Sequence, residues 1–423
     1  MTSERECYVH VQIPGTLQTV PAALLAIEKL PDGTYVGRFR YGDRYLERAN
    51  AVALDPFELP LDNRLREFTT LKGVPGAVRD ASPDFWGRKV IEHRLHRAAG
   101  DLEEIDYMVH GPADGGGYLS FSSEIPLKPT ARKFNRTHQL AALIQAAEDI
   151  EEGKAVPEYL LEELEPGTSM GGMRPKATIE DGERLWIGKF PSKDDPFSLQ
   201  RVECATLKLA RRAGIDAAHA RIQVVGPHDV LMIERFDREY SPKGYFRQGM
   251  VSAMTMVGAD ESISSRPRWS YLLLADQLRR WSTKPNADRV ELFRRMVFNA
   301  AVTNDDDHPR NHALVRAAKG WQLSPAYDIV PARRLSLEHR DLALTAGDHG
   351  RTASIFNLVS QCARFGLSPE EARKVIDAVV VVVNTWREVF EEEGVAAKDI
   401  EYIAPAFLPE CFFRNEPPQP VEV

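Results

Sequence analysis

The alternation of apolar and polar residues changes character along this chain. Tyr8-Val9-His10-Val11-Gln12-Ile13 reads as a strand, and Asp32-Gly33 ahead of Tyr35-Val36-Gly37-Arg38-Phe39 is a hairpin signal. Ser82-Pro83, followed by Phe85-Trp86, Val90-Ile91 and Leu95, predicts a helix with Ser82 as N-cap and Pro83 at its first position. The 111–117 stretch is a turn cluster, after which Tyr118-Leu119-Ser120-Phe121 resumes a strand. Residues 148–165 are dense in Glu and Asp and broken by Pro157, which predicts solvated helix and linker.

From Glu183 to Asp237 the pattern predicts strand, helix, strand, strand. Arg184 to Phe190 is a strand candidate. Arg201 to Arg212 has helical spacing and stops at Gly214, and Arg221–Val225 and Val230–Ile233 read as short buried strands. Beyond residue 270 helices are predicted at 270–281, 287–303, 354–365 and 369–393, the last opened by the capping box Ser368-Pro369-Glu370-Glu371. The fold class expected is α+β, a mixed α/β half followed by an all-α half.

Length and composition narrow this picture. The 423 residues exceed one ordinary core, so two or three domains are expected. The formal charge of −8 argues against a long nucleic-acid footprint on this chain. Cys7, Cys204, Cys362 and Cys411 stand far apart with no CxxC pair, against a zinc ribbon or a disulfide framework. The first ten residues lack the apolar core of a signal peptide. The longest apolar run, Val375 to Val383, is interrupted by Asp377 and suits a buried helix rather than a membrane span. A cytoplasmic setting without membrane contact is the expectation.

Four segments carry candidate chemistry. Gly171-Gly172-Met173-Arg174-Pro175-Lys176 puts adjacent glycines beside cations, either a phosphate-cradling loop or a plain turn. Lys189, between Trp186-Ile187 and Phe190-Pro191, either snorkels to water or holds nucleotide phosphates, with Glu203 on the next helix as its orienting partner. Asn304-Asp305-Asp306-Asp307-His308-Pro309-Arg310-Asn311 follows an apolar helix. Three consecutive carboxylates repel unless solvated or metal-bound, so the loop is either a polar cap or a site. A zinc pair of His308 and His312 is disfavoured by Pro309 and by the lack of an HExxH glutamate. Asp328, in Ser324-Pro325-Ala326-Tyr327-Asp328-Ile329, is either a turn residue or a Mg²⁺ ligand. Their order is the stronger signal. Glycine loop, strand Lys, helix Glu, Asp-x-x-x-x-Asn and a later Asp are the parts of a protein kinase in kinase order, although HRD and DFG are missing.

At these residues, together with Glu234-Arg235-Phe236-Asp237-Arg238, the chain resembles the HipA family, the bacterial toxin kinases of HipA–HipB toxin–antitoxin systems. The resemblance is good over roughly residues 165–390 and looser in the N-terminal third. It implies a two-lobed protein-kinase-like fold: an N-terminal subdomain at 1–130, a nucleotide lobe at 131–255 and an all-α C-terminal lobe at 256–423. It implies Asp306 as catalytic base, chosen among the three carboxylates by its spacing to His308 and Asn311. Asn311 and Asp328 would hold Mg²⁺. ATP would lie against Gly171, Gly172, Met173, Arg174, Pro175, Lys176, Lys189, His308, Asn311, Tyr327 and Asp328, with Glu234, Arg235 and Phe236 as the hinge strand. Ser169 matches the family's autophosphorylated position. The implied partners are a HipB-like helix-turn-helix antitoxin, operator DNA only through that complex, and a translation component such as an aminoacyl-tRNA synthetase as substrate. The competing expectation is a kinase-fold module of little turnover that acts as an antitoxin-bound co-repressor.

Overall fold

A computed structural model of the chain describes residues 4–112, 114–125, 134–164, 172–317, 320–334 and 339–416. The chain forms two compact units. One comprises Met1–Ser192, Val224–Asp260 and Ala313–Gly320, the other Lys193–Gln223, Glu261–His312 and Trp321–Val423.

The first unit holds an antiparallel sheet of β1 (Glu4–Gln12), β2 (Thr19–Lys29), β3 (Tyr35–Tyr41), β4 (Arg66–Phe68) and β5 (Leu119–Ser122), in the order β4-β3-β2-β1-β5. The expected hairpin forms about Asp32-Gly33, where Gly33 takes a positive φ of 86°. Gly37 on β3 lies so close to Gly73 that a Cβ would stand 1.6 Å from the Gly73 carbonyl oxygen. A second sheet places β6 (Asn135–Arg136), β7 (Lys176–Asp181) and β8 (Arg184–Lys189) side by side. β9 (Ala220–Val225) crosses from one unit into the other, and β10 (His228–Glu234) pairs antiparallel with β8. Leu143, Ile144 and Ile150 from helix Leu140–Glu151, and Leu161 and Leu164 from helix Glu158–Leu164, close over Ile179, Trp186, Val230 and Met232 of this sheet. Trp86 and Val90 complete that core.

The second unit is built around helix Pro285–Ala301, whose Leu292, Phe293, Met296, Val297 and Phe298 are fully buried. It packs against helices Tyr271–Trp281 and Pro369–Val383, and Phe293 meets Phe365 edge-on at 5.3 Å. Trp386 stacks on Phe407 at 3.9 Å.

Five expectations change. Ser82 does not cap the helix after it. It closes Gly76–Ala81, and Asp84 caps Phe85–Leu95 by accepting from Gly87 N–H at 2.9 Å. An Asp carboxylate reaching the third helical N–H outcompetes Ser82, whose hydroxyl donates to the Val78 carbonyl. The 369–393 helix breaks at Asn384-Thr385 into Pro369–Val383 and Trp386–Glu392, and the 354–365 helix divides into Ile355–Ser360 and a 3₁₀ turn at Cys362–Phe365. β9 is a half-exposed strand rather than a buried one. The Val375–Val383 run is buried along one face only, at Ile376, Val379 and Val383, and leaves Val381 in solvent. Among the described residues no helix is long and apolar enough to cross a membrane.

Candidate active site

Helix Pro285–Ala301 delivers its C-terminus into the acidic loop through Thr303, which has a φ of +52°. A β-branched residue is strained in the left-handed region, so something must hold it there. Thr303 Oγ1 donates to the Ala406 carbonyl at 2.6 Å, and the Thr303 carbonyl accepts from Ala332 N–H at 2.9 Å.

The three carboxylates that follow point three ways. Asp305 is half-buried and paired with Arg334. Asp307 is buried and accepts from the hydroxyl of Tyr271 and from His312 Nε2, the latter at 2.9 Å. Asp306 lies between them and is exposed, and among the described residues its carboxylate has neither hydrogen-bond nor ion-pair partner. Its pKa is raised by desolvation. His308 opposes that rise, and Asp328, Asp305 and Asp307 add to it. The backbone of Asp306 is clamped even though its side chain is free. Its carbonyl accepts from His308 N–H at 2.8 Å and from Asn311 Nδ2 at 3.1 Å.

That last bond fixes the Asn311 amide, because only its nitrogen can donate to a carbonyl. Asn311 Oδ1 is left buried with no donor. An orphaned buried amide oxygen is costly, and it suits a hard cation, which takes oxygen ligands. Asp328 adopts a φ of +58°, a conformation that Asp tolerates better than most residues. Tyr327 is buried, and its hydroxyl donates to the Arg310 carbonyl at 2.7 Å, so the segment bearing Asp328 is bonded to the loop bearing Asp306 and Asn311. Arg295 Nη2 holds the Ser324 carbonyl of the same segment at 2.7 Å. His308 faces Trp269 edge-on at 6.4 Å while His312 bonds Asp307, so the two histidines serve different neighbours. Among the described residues no group of three His, Cys, Asp or Glu side chains could hold a metal ion. Two protein oxygens suit Mg²⁺, which usually takes one or two protein ligands plus water and phosphate.

The second unit therefore brings Asp306, His308, Asn311, Tyr327 and Asp328 together. Glu203 is buried in helix Leu199–Arg212 of the same unit.

The remaining candidates belong to the first unit. Lys189 ends β8, half-buried, opposite Leu231 of β10. Gly172, Met173 and Arg174 lead into β7, with Met173 exposed, and Pro175 is buried with its carbonyl on Phe190 N–H at 3.0 Å. Ser169 and Gly171 lie outside the described residues. Lys176 is buried, with Nζ on Asp84 at 2.6 Å and on the Gly172 carbonyl at 3.2 Å. Its charge anchors the loop to the helix cap. Glu234 ends β10 and accepts from Arg184 at 2.8 Å. Arg235 N–H is taken by the Leu185 carbonyl, and its buried guanidinium bonds Asp237 at 2.9 and 3.0 Å. Phe236 follows, half-buried. The E-R-F-D-R word is largely a buried ion cluster: Asp237 also accepts from Arg238 at 2.6 Å and from Gly117 N–H at 2.9 Å. Arg235 and Arg238 burden Asp114, and Arg247 bonds the carbonyls of Gly117 and Leu119.

Sequence reading missed Asp84 as the partner of Lys176 and Tyr271 and Asn299 as neighbours of the acidic loop. Nothing in their local sequence marks them, since each meets its partner only through the fold.

The sequence profile of the HipA-like C-terminal domain matches residues 168–386, just over half of the chain. The chain belongs to the HipA family. Among solved structures, the HipA family chain resembles one from the Shewanella oneidensis MR-1 complex of HipA, HipB and operator DNA. The TM-score is 0.68 over 95% of this chain and 96% of that one, at 17% identity, and this establishes the α+β fold. The serine/threonine-protein kinase toxin HipA of Shewanella oneidensis is 24% identical over 170 residues, 36% of this chain and 39% of that protein. Y4dM of Sinorhizobium fredii is 28% identical over 223 residues, 49% of this chain and 52% of the relative. The chain thus spans about half or less of the length of these curated relatives.

Proposed function

We propose that this HipA-family chain is an ATP- and Mg²⁺-dependent serine/threonine protein kinase, the toxin of a HipA-type toxin–antitoxin module. The observation that carries this reading is Asp306. Among the described residues it alone of the three tandem carboxylates is exposed and unengaged, and its backbone is clamped by the same Asn311 whose Oδ1 is buried without a partner among them.

Phosphoryl transfer asks for positioning and charge neutralisation more than for covalent help. Lys189 would bind the ATP phosphates, oriented by Glu203, with Gly171 to Lys176 as the loop around them and Glu234 to Phe236 as the adenine-side strand. Asn311 Oδ1 and the Asp328 carboxylate would hold Mg²⁺, with His308 in the same loop. Bound Mg²⁺ supplies neutralisation of the charge that develops on the phosphate oxygens. Asp306 would accept a hydrogen bond from the substrate hydroxyl and take its proton as the new O–P bond forms and the bond to the β,γ-bridging oxygen breaks, releasing ADP. The substrate would be a translation component such as an aminoacyl-tRNA synthetase, and Ser169 the autophosphorylated residue. The solved relative was crystallised with HipB and operator DNA. A HipB-like helix-turn-helix partner for this chain, carrying the DNA contact, accords with its net charge of −8.

The test is incubation of the purified full chain with Mg²⁺ and ATP, followed by mass spectrometry for phosphate at Ser169 and by quantification of ADP. Phosphate incorporation and ADP release that vanish in Asp306→Asn are expected. Neither in the wild type, or equal turnover in Asp306→Asn, would overturn the reading.

A further inference from the structure

The second unit contains a buried polar chain behind the acidic loop that the phosphoryl-transfer roles leave unused. Asn304 Nδ2 donates to Asn299 Oδ1 at 3.2 Å, and Asn304 N–H donates to the Asn299 carbonyl at 2.8 Å. Asn299 Nδ2 donates to the Tyr271 hydroxyl oxygen at 3.1 Å. The Tyr271 hydroxyl in turn donates to Asp307 Oδ2, which also accepts from His312 Nε2. The rings of Tyr271 and His312 meet edge-on at 5.5 Å. All five residues are buried.

The donor sense of this chain is fixed by its members. A carboxylate can only accept, so both Tyr271 and His312 must donate to it. The Asn299 amide nitrogen then faces the phenol oxygen, and its amide oxygen is left for Asn304. Every link has one permitted direction, which gives the chain a single arrangement rather than a set of interconverting ones. It ties helix Tyr271–Trp281, helix Pro285–Ala301 and the acidic loop to one buried carboxylate.

We infer that Asp307, held by Tyr271 and His312, is the positioning residue that sets the orientation of Asp306. This rests on the phosphoryl-transfer reading of Asp306. The physical ground is the adjacency of the two residues. Asp307 is fixed inward by two donors, the carbonyl of Asp306 is fixed by His308 N–H and Asn311 Nδ2, and Asn304 on the preceding side is fixed by Asn299, so the backbone is held both before and after Asp306. Its exposed side chain is held outward by that backbone. Without the Tyr271 donor, the buried Asp307 carboxylate would seek another partner or water, and the loop would turn with it. Asp306 would keep its chemistry and lose its aim.

The experiment compares Tyr271→Phe, Asp307→Asn, the double variant and Asp306→Asn in the full chain. ADP release with Mg²⁺ and ATP is measured beside thermal unfolding. Tyr271→Phe keeps the ring and removes the donor to Asp307 together with the acceptor of Asn299 Nδ2, while Asp307→Asn leaves that acceptor in place. A fall in kcat of about 10- to 100-fold is expected, the range seen when a group that orients a functional ligand is lost. KM for ATP should stay within about twofold, and the double variant should fall no further than the worse single one. A purely structural role would instead lower the unfolding temperature and leave the kcat of the folded fraction unchanged. Wild-type kcat in folded Tyr271→Phe and Asp307→Asn, alongside a dead Asp306→Asn, would overturn the positioning role and leave the kinase reading standing. Full activity in Asp306→Asn would remove the kinase reading itself, and the positioning role with it.

Discussion

The hydroxyl of Tyr327 donates to the carbonyl oxygen of Arg310 at 2.7 Å, and this bond joins the segment carrying Asp328 to the loop carrying Asp306 and Asn311. Removing it in Tyr327→Phe leaves a part-buried carbonyl without that donor. The expected cost is about 1 kcal/mol of stability, read by chemical denaturation. Under the proposed function the concentration of Mg²⁺ needed for half-maximal ADP release should rise, because the two cation-holding oxygens sit on the two joined segments.

Among the described residues the Asp306 carboxylate has no hydrogen-bond or ion-pair partner for its replacement to break. Asp306→Asn should therefore leave unfolding free energy within about 0.5 kcal/mol of wild type. Transfer should fall by about 100- to 10,000-fold, the usual contribution of a positioned base. A variant that unfolds would contradict the free side chain.

Asp84 is needed twice, as the cap of helix Phe85–Leu95 and as the buried partner of Lys176. Asp84→Ala should cost about 3 to 5 kcal/mol, since it strands a buried ammonium. Asp84→Asn keeps a capping oxygen and should cost less. Denaturation midpoints of the two variants separate the cap from the charge.

Burial pushes the Glu58 carboxyl from 4.5 up to about 7, against the Gly76 N–H that donates to it and helped by the charges of Asp55 and Asp80. Its folded pKa lies above its unfolded one, so the folded state holds a proton that the unfolded chain has given up. The stabilisation is full below about pH 4.5 and is lost as pH rises to about 7. Glu58→Gln should flatten the fall in stability over that window, measured by urea denaturation at several pH values. An unchanged slope would show that Glu58 is not the group responsible.

Glu104 behaves in the opposite sense. Burial alone would raise its pKa, but the bond from Arg88 and the charges of Arg79, Arg88 and Lys72 bring it down to about 2. Its contribution is present above its ordinary value of 4.5 and disappears as pH falls toward about 2. Glu104→Gln should thus destabilise the chain at pH 7 and be close to neutral at pH 2, when compared by thermal unfolding.

Periodicity carried much of the architecture. The Asp32-Gly33 hairpin, the strand ending at Lys189 and the helix from Leu199 to Arg212 follow from spacing that a single face must bury. The acidic loop and the Pro-Ala-Tyr-Asp segment were legible as words, and the fold bonds them to each other. What could not be read was which side chain each charge would find. Lys176 is read as part of a phosphate loop, and its ammonium bonds Asp84, 92 positions earlier in the chain. Arg235 is read as part of a hinge strand, and its guanidinium bonds Asp237 and Asp114. Such pairings depend on chain segments meeting at long separation, and no local pattern encodes them. Ser82 misled for a different reason, because two capping residues two positions apart compete and only backbone geometry decides between them.

The ion cluster around Asp237 bears on how this architecture could change over time. Asp114, Gly115, Gly117 and Leu119 supply one half of it, and Arg235, Asp237, Arg238 and Arg247 supply the other. A break in the chain near residue 130 would leave each fragment with the wrong half of a buried charge balance. Removing the N-terminal sheet would leave the guanidiniums of Arg235, Arg238 and Arg247 without half of their buried acceptors. A shortened chain would need those arginines replaced as well, so the two stretches can be redesigned only together.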